Sequence, residues 1–209
     1  MWEATLYIAC IAAVVLMVKP ALYEISKVAG LSAHLLLMLP FFALVSRFLV
    51  NDTSIQYVAA FGGEALPMKY RLAATWAARE GPILMWVVWI TILAWLWRRP
   101  MVGKSVESIA ARDFRQRIMY GFSLTLLLIA AVLNPFKKTP EFFFGSGLNE
   151  LLQTDLMIIH PPLIFLAYSF CIFITAISLS GIFTSEVSGI DERILSLVRP
   201  GLLVTTIGI

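Results

Sequence analysis

The sequence predicts an all-α integral membrane protein: a bundle of about six transmembrane helices, the last cut short, with two apolar outward-facing loops. Three observations lead there. The 209 residues are 60% hydrophobic and only 14% charged, where a soluble domain carries roughly a quarter charged residues. The apolar residues come in blocks, not at the helical or strand periods of a half-buried surface. The basic residues, finally, sort into two sets of loops that alternate between those blocks.

A helix needs about 20 mostly apolar residues to cross roughly 30 Å of hydrocarbon. Five segments approach or meet that length: Trp2–Val18, Val28–Val50, Pro82–Trp97, Ile118–Leu133 and Ile158–Phe183. A sixth, Leu197–Ile209, is unfinished. The first lacks the basic n-region and small-residue cleavage site of a signal peptide. No repeat, low-complexity tract or long linker divides the chain, so residues 1–209 read as a single transmembrane domain.

Arg47 aside, one set of loops holds Lys19, Lys27, Arg98, Arg99, Lys104, Arg112, Arg115, Arg117, Arg193 and Arg199. The other holds Lys69, Arg71, Arg79, Lys137 and Lys138. The positive-inside rule puts the larger set in the cytoplasm or its organellar equivalent. The N-terminus and the two long loops, about 51–81 and 134–157, then face outward. The net charge of +3 is loop charge that fixes orientation. No polar stretch interleaves basic and aromatic residues, so nucleic-acid binding has no footprint.

The two outward loops are rich in Pro, Gly, aromatics and Leu, unlike a disordered tether. They read as short amphipathic pieces at the membrane surface, packed against each other or against a large apolar ligand. Function belongs on that face. Cys10 and Cys171 each lie inside an apolar span and form no CxxC pair, so both read as small buried hydrophobes.

Asn134-Pro135 ends the fourth span, because proline disfavours helical geometry in the residue before it. His160-Pro161-Pro162 opens the fifth, since proline is tolerated in a first helical turn. That places His160 at the outer mouth of the helix, at or just before the N-cap. A histidine here either caps a helix at the interface or binds a metal or haem iron, for which neutral imidazole is a common ligand. His34, near the inner end of the second span, reads as a hydrogen-bonding residue of the bundle interior. Arg79 and Glu80, just before the third span, form an interfacial ion pair at a helix start or recognise a charged ligand. Trp86, Trp89, Trp95 and Trp97 suit an interface belt and bundle packing; Trp76, in the loop, does not. Phosphate loop, nucleophile elbow, HExxH and cysteine cluster are all missing.

Two stretches carry a resemblance. ALPMKYRLAATWAAREGPILMWVVW is similar to the signature of the CcmF-type cytochrome c haem lyases, and more distantly to their CcsA relatives. LNPFKKTPEFFFGSGLNELLQTDLMIIHPPLIFLAY resembles that family's next outward loop, with its Leu-Asn, Leu-Leu-Gln and His-Pro-Pro. VRPGLLVTTIGI looks like the helix leading into the family's tryptophan-rich WWD loop, so the resemblance runs from about Asn51 to Ile209.

The resemblance implies cytochrome c biogenesis: haem held at the outer face for covalent thioether attachment to the CxxCH cysteines of apocytochrome c. By that match His160 is an axial ligand of the haem iron, and Trp76, Arg79 and Glu80 belong to the haem site. No catalytic acid or base is assigned. It implies as partners apocytochrome c, a haem chaperone and other maturation subunits. The expected location is the bacterial cytoplasmic membrane with the working loops periplasmic, or alternatively the mitochondrial inner membrane. Two departures stand out. The chain stops where the WWD loop begins, so that loop, a second outward histidine and the ligands of a membrane haem b would come from a C-terminal portion or companion chain. The family's usual His-Glu-Gly histidine is replaced by Arg79, and the Gly-Gly before it by Ala77 and Ala78. Rival readings are a non-enzymatic haem-delivery subunit and a haem transporter subunit.

Overall fold

The computed structural model describes residues 2–102, 105–186 and 188–208; Lys104 and Ile209, which figured above, lie outside them. Among the described residues the chain is helical, with two isolated antiparallel bridges. The helices are α1 (Ala4–Val18), α2 (Leu22–Ile25), α3 (Lys27–Leu49), α4 (Gln56–Phe61), α5 (Met68–Ala74), α6 (Glu80–Leu96), α7 (Ile109–Leu133), α8 (Asp155–Phe183) and α9 (Ile190–Gly208). Three of them, α3, α7 and α8, are long and apolar enough to cross a membrane. At 15 and 17 residues α1 and α6 are apolar but shorter, rising roughly 1.5 Å per residue.

The ends of the long helices follow side-chain chemistry. Ser26, Ser108 and Thr154 each accept a hydrogen bond from the backbone N–H three residues on, satisfying a donor that the first turn leaves unpaired. Asn134 stops α7 in the left-handed conformation at φ 50°, directly before Pro135. In the bundle, α8 packs on α9, α6 and α7, while α1 packs on α3 and α7. Gly201 and Gly208 let α9 lie close to α8; a Cβ on them would stand 3.2 Å from Cβ of Phe170 and Leu163.

Several expectations need correction. α7 begins at Ile109, not Ile118, and α9 at Ile190, not Leu197. Arg112 and Arg115, expected in an inner loop, are buried in the first turns of α7. Cys171 is exposed on α8 and Cys10 only partly buried, so neither is the enclosed hydrophobe expected. His160 lies in the second turn of α8, not at its N-cap, which is Thr154. Apolar content alone cannot see these starts, because polar residues extend each helix past its hydrophobic block.

One end of the bundle, the one expected to face inward, carries a layer of buried, paired charges. Arg115 and Glu107 are both fully buried and joined by two hydrogen bonds of 2.7 and 2.8 Å. Arg115 also donates to the Trp97 carbonyl, and Glu107 accepts the Met101 N–H. Arg112 donates to Tyr23 Oη and Glu24 Oε1, and Arg193 to Glu186 Oε1. His34 is buried as expected: Nδ1 donates to the Gly30 carbonyl at 2.7 Å, and Nε2 accepts from Tyr120 Oη at 3.0 Å.

Candidate functional site

At the opposite end the two long loops pack on each other. Gln56 N–H donates to the Lys137 carbonyl at 2.8 Å, Thr139 N–H to Ser54 at 2.9 Å, and Gly147 N–H to Ala60 at 3.0 Å. Arg71 gathers the first loop from within, donating to the carbonyls of Leu49, Glu64 and Leu66. The product is a ledge on which several large apolar side chains, Phe142, Phe144, Leu151, Leu156 and Ile159, are exposed.

Tyr57 is the bolt of the ledge. Its buried hydroxyl donates to the Thr75 carbonyl at 2.9 Å and accepts the Ala78 N–H at 3.2 Å. Burial pushes this phenol well above its ordinary range, so it stays a neutral O–H. Gly81 completes the fit, since a Cβ there would stand 1.6 Å from the Thr75 oxygen. Tyr57 and Gly81 escaped the sequence reading, and so did the carbonyl of Gly208. No local signal marks any of the three, because each acts on a partner distant in the chain.

His160 is exposed at this same end. Its Nδ1 meets the backbone carbonyl of Gly208 in the last turn of α9. A carbonyl can only accept, so Nδ1 carries the proton and donates it. In the neutral ring Nε2 is then left as a bare acceptor. A carbonyl behind one nitrogen and a free lone pair on the other is the usual arrangement of a metal-binding histidine.

The other expected residues divide. Trp76 is buried, and its indole N–H donates to the Met157 carbonyl, one turn before His160, at 2.8 Å. Arg79 and Glu80 face elsewhere. With Gln56, Phe61, Asn134 and Lys137 they line an open cavity of about 440 Å³ between the two loops, of which His160 is not part. The Arg79–Glu80 pair is loose at 3.9 Å, with the Arg79 side chain 78% exposed. Glu80 instead turns back to accept the Arg79 N–H at 3.1 Å. Trp86, Trp95 and Trp97 pack inside the bundle, against Phe165, His34 and Phe173 respectively.

No family model and no solved structure matches the chain. Curated proteins do. The chain is 38% identical over 133 residues to the cytochrome c-type biogenesis protein CcmF of Escherichia coli, across 61% of this chain and 20% of that protein. It is 30% identical over 198 residues to the E. coli "Probable cytochrome c-type biogenesis protein NrfE", across 91% of this chain and 34% of the relative. NrfE of Haemophilus influenzae is 31% identical over 172 residues, across 79% and 26%.

The chain belongs with the CcmF and NrfE cytochrome c-type biogenesis proteins.

It spans about a fifth to a third of the length of the curated relatives it matches.

Proposed function

We propose that this chain acts in cytochrome c maturation, presenting haem at the outer face of the membrane with His160 Nε2 as an axial ligand to the iron. One observation carries the reading: the Gly208 carbonyl holds the His160 proton on Nδ1, leaving Nε2 free at the exposed end of the bundle. Haem is the substrate here, and the residues present suit it. Imidazole is an ordinary axial ligand. The exposed Phe142, Phe144, Leu156 and Ile159 offer apolar surface at the same end as the porphyrin's proposed ligand. Arg79, exposed and only loosely paired with Glu80, can turn to a propionate, and Trp76 and Glu80 shape the turns beside it.

Orientation is the service such a site supplies. Haem fixed by its iron presents its vinyl edges to the CxxCH thiols of an apocytochrome c, each S–H adding across a vinyl double bond. Holding two reactants in register replaces a bimolecular encounter. In this proposal all six long helices span the bilayer, residues 1–209 form one transmembrane domain, and the ledge is periplasmic in a bacterial cytoplasmic membrane. A haem chaperone delivers the substrate, other maturation subunits take part, and a further portion or companion chain carries the WWD loop.

The test is absorption spectroscopy of the membrane-purified protein and its His160→Ala variant, each expressed with its natural companions. A haem band lost in the variant at unchanged protein level is the expected result. An unchanged spectrum overturns the assignment.

A further inference from the structure

Pro161 and Pro162 lie inside α8, which runs through them unbroken, directly after His160. Residue 161 of a regular helix would donate its N–H to the carbonyl of residue 157, but proline has none to give. The Met157 carbonyl therefore lacks the i+4 partner that a regular helix supplies, and a covered carbonyl left unpaired is costly. The Trp76 indole N–H occupies that carbonyl from across the bundle at 2.8 Å.

Trp76 is itself locked. Tyr57 Oη bonds the backbone on both sides of it, at Thr75 and Ala78, and the Tyr57 ring packs edge-on against Phe48 and Phe61. The Thr75 carbonyl lies where a side chain on residue 81 would stand, so glycine there permits this packing. The indole is only 7% exposed, too little to stack on a porphyrin, and its one donor is committed to Met157.

We infer that Trp76 is the positioning residue of His160: by donating to the proline-freed carbonyl of Met157 it fixes the turn that carries the imidazole. The ledge thereby sets the direction in which Nε2 is presented. This rests on the proposed ligand role for its functional meaning only; the claim about geometry is independent of haem.

The experiment uses the full chain in detergent and reads the rate at which diethylpyrocarbonate modifies His160, by mass spectrometry, with buried His34 as the internal reference. Trp76→Phe keeps a ring and removes the N–H. It should change the His160 rate roughly two- to tenfold, the equivalent of one hydrogen bond, with His34 unmoved. Pro161→Ala supplies the missing N–H at residue 161, so in that background Trp76→Phe should change the rate no further. An equal effect in both backgrounds, or none in either, overturns the inference. Should Trp76→Phe fail to accumulate, the Trp76→Phe/Pro161→Ala double variant must restore it, and failure of that rescue also overturns it. The haem spectra separate the two ideas. If the rates behave as expected while His160→Ala leaves the spectrum unchanged, positioning stands and the ligand role falls. If haem is lost in His160→Ala but the background dependence is missing, the ligand role stands and positioning falls.

Discussion

The two ends of the bundle treat their polar groups in opposite ways. At one end Arg112, Arg115 and Arg193 are buried and answered by Glu24, Glu107 and Glu186, with backbone carbonyls taking further donors. At the other end Arg79 lines an open cavity, and the exposed His160 is held through Nδ1 by the Gly208 carbonyl. Paired, buried charges make a rigid base; exposed, loosely held groups are the ones open to a ligand. The buried charge of the described residues is thus gathered at one end, and the exposed polar groups of the ledge are left open.

Breaking the base should have the largest effect. Glu107→Ala strands Arg115 in a fully buried position, which costs about 3–5 kcal/mol. Thermal unfolding in detergent should show a large fall in midpoint, and a small fall would mean that water reaches this pair. Gly81→Ala attacks the ledge instead, where overpacking costs roughly 1–3 kcal/mol. Limited proteolysis within residues 51–81 should quicken while the bundle melts as before. Tyr120→Phe removes the partner of His34 Nε2 inside the bundle, and such bonds between membrane helices average about 0.6 kcal/mol. The midpoint should drop slightly, with haem content unaffected. Arg79→Ala should change stability by less than about 0.5 kcal/mol, as expected for an exposed side chain. Its signature is weaker haem retention on dilution, and a variant that unfolds more easily would move Arg79 from the open class to the structural one.

The sequence makes the same division only partly readable. The hydrophobic blocks show where helices run: Val28–Val50 is realised as Lys27–Leu49, and Pro82–Trp97 as Glu80–Leu96. Asn134-Pro135 marks the end of α7 because its signal is local. Arg112 and Arg115 were assigned to a loop because counting charges along the chain does not reveal that Glu24 and Glu107 lie opposite. The Trp76 contact is hidden for a similar reason: its partner lies 81 residues on, so no local pattern announces the bond. Local chemistry is legible in a sequence; chemistry that needs two distant segments to meet is not.

The bond between His160 and Gly208 also imposes an order in time. The two residues are 48 positions apart, and a membrane protein is threaded into the bilayer from its N-terminal side. While α8 is in place and α9 is still arriving, the imidazole can hold its proton on either nitrogen. Docking of α9 removes that choice. Under the proposed ligand role, the histidine is prepared only once the last described helix is seated, which puts assembly of the bundle before any loading with haem.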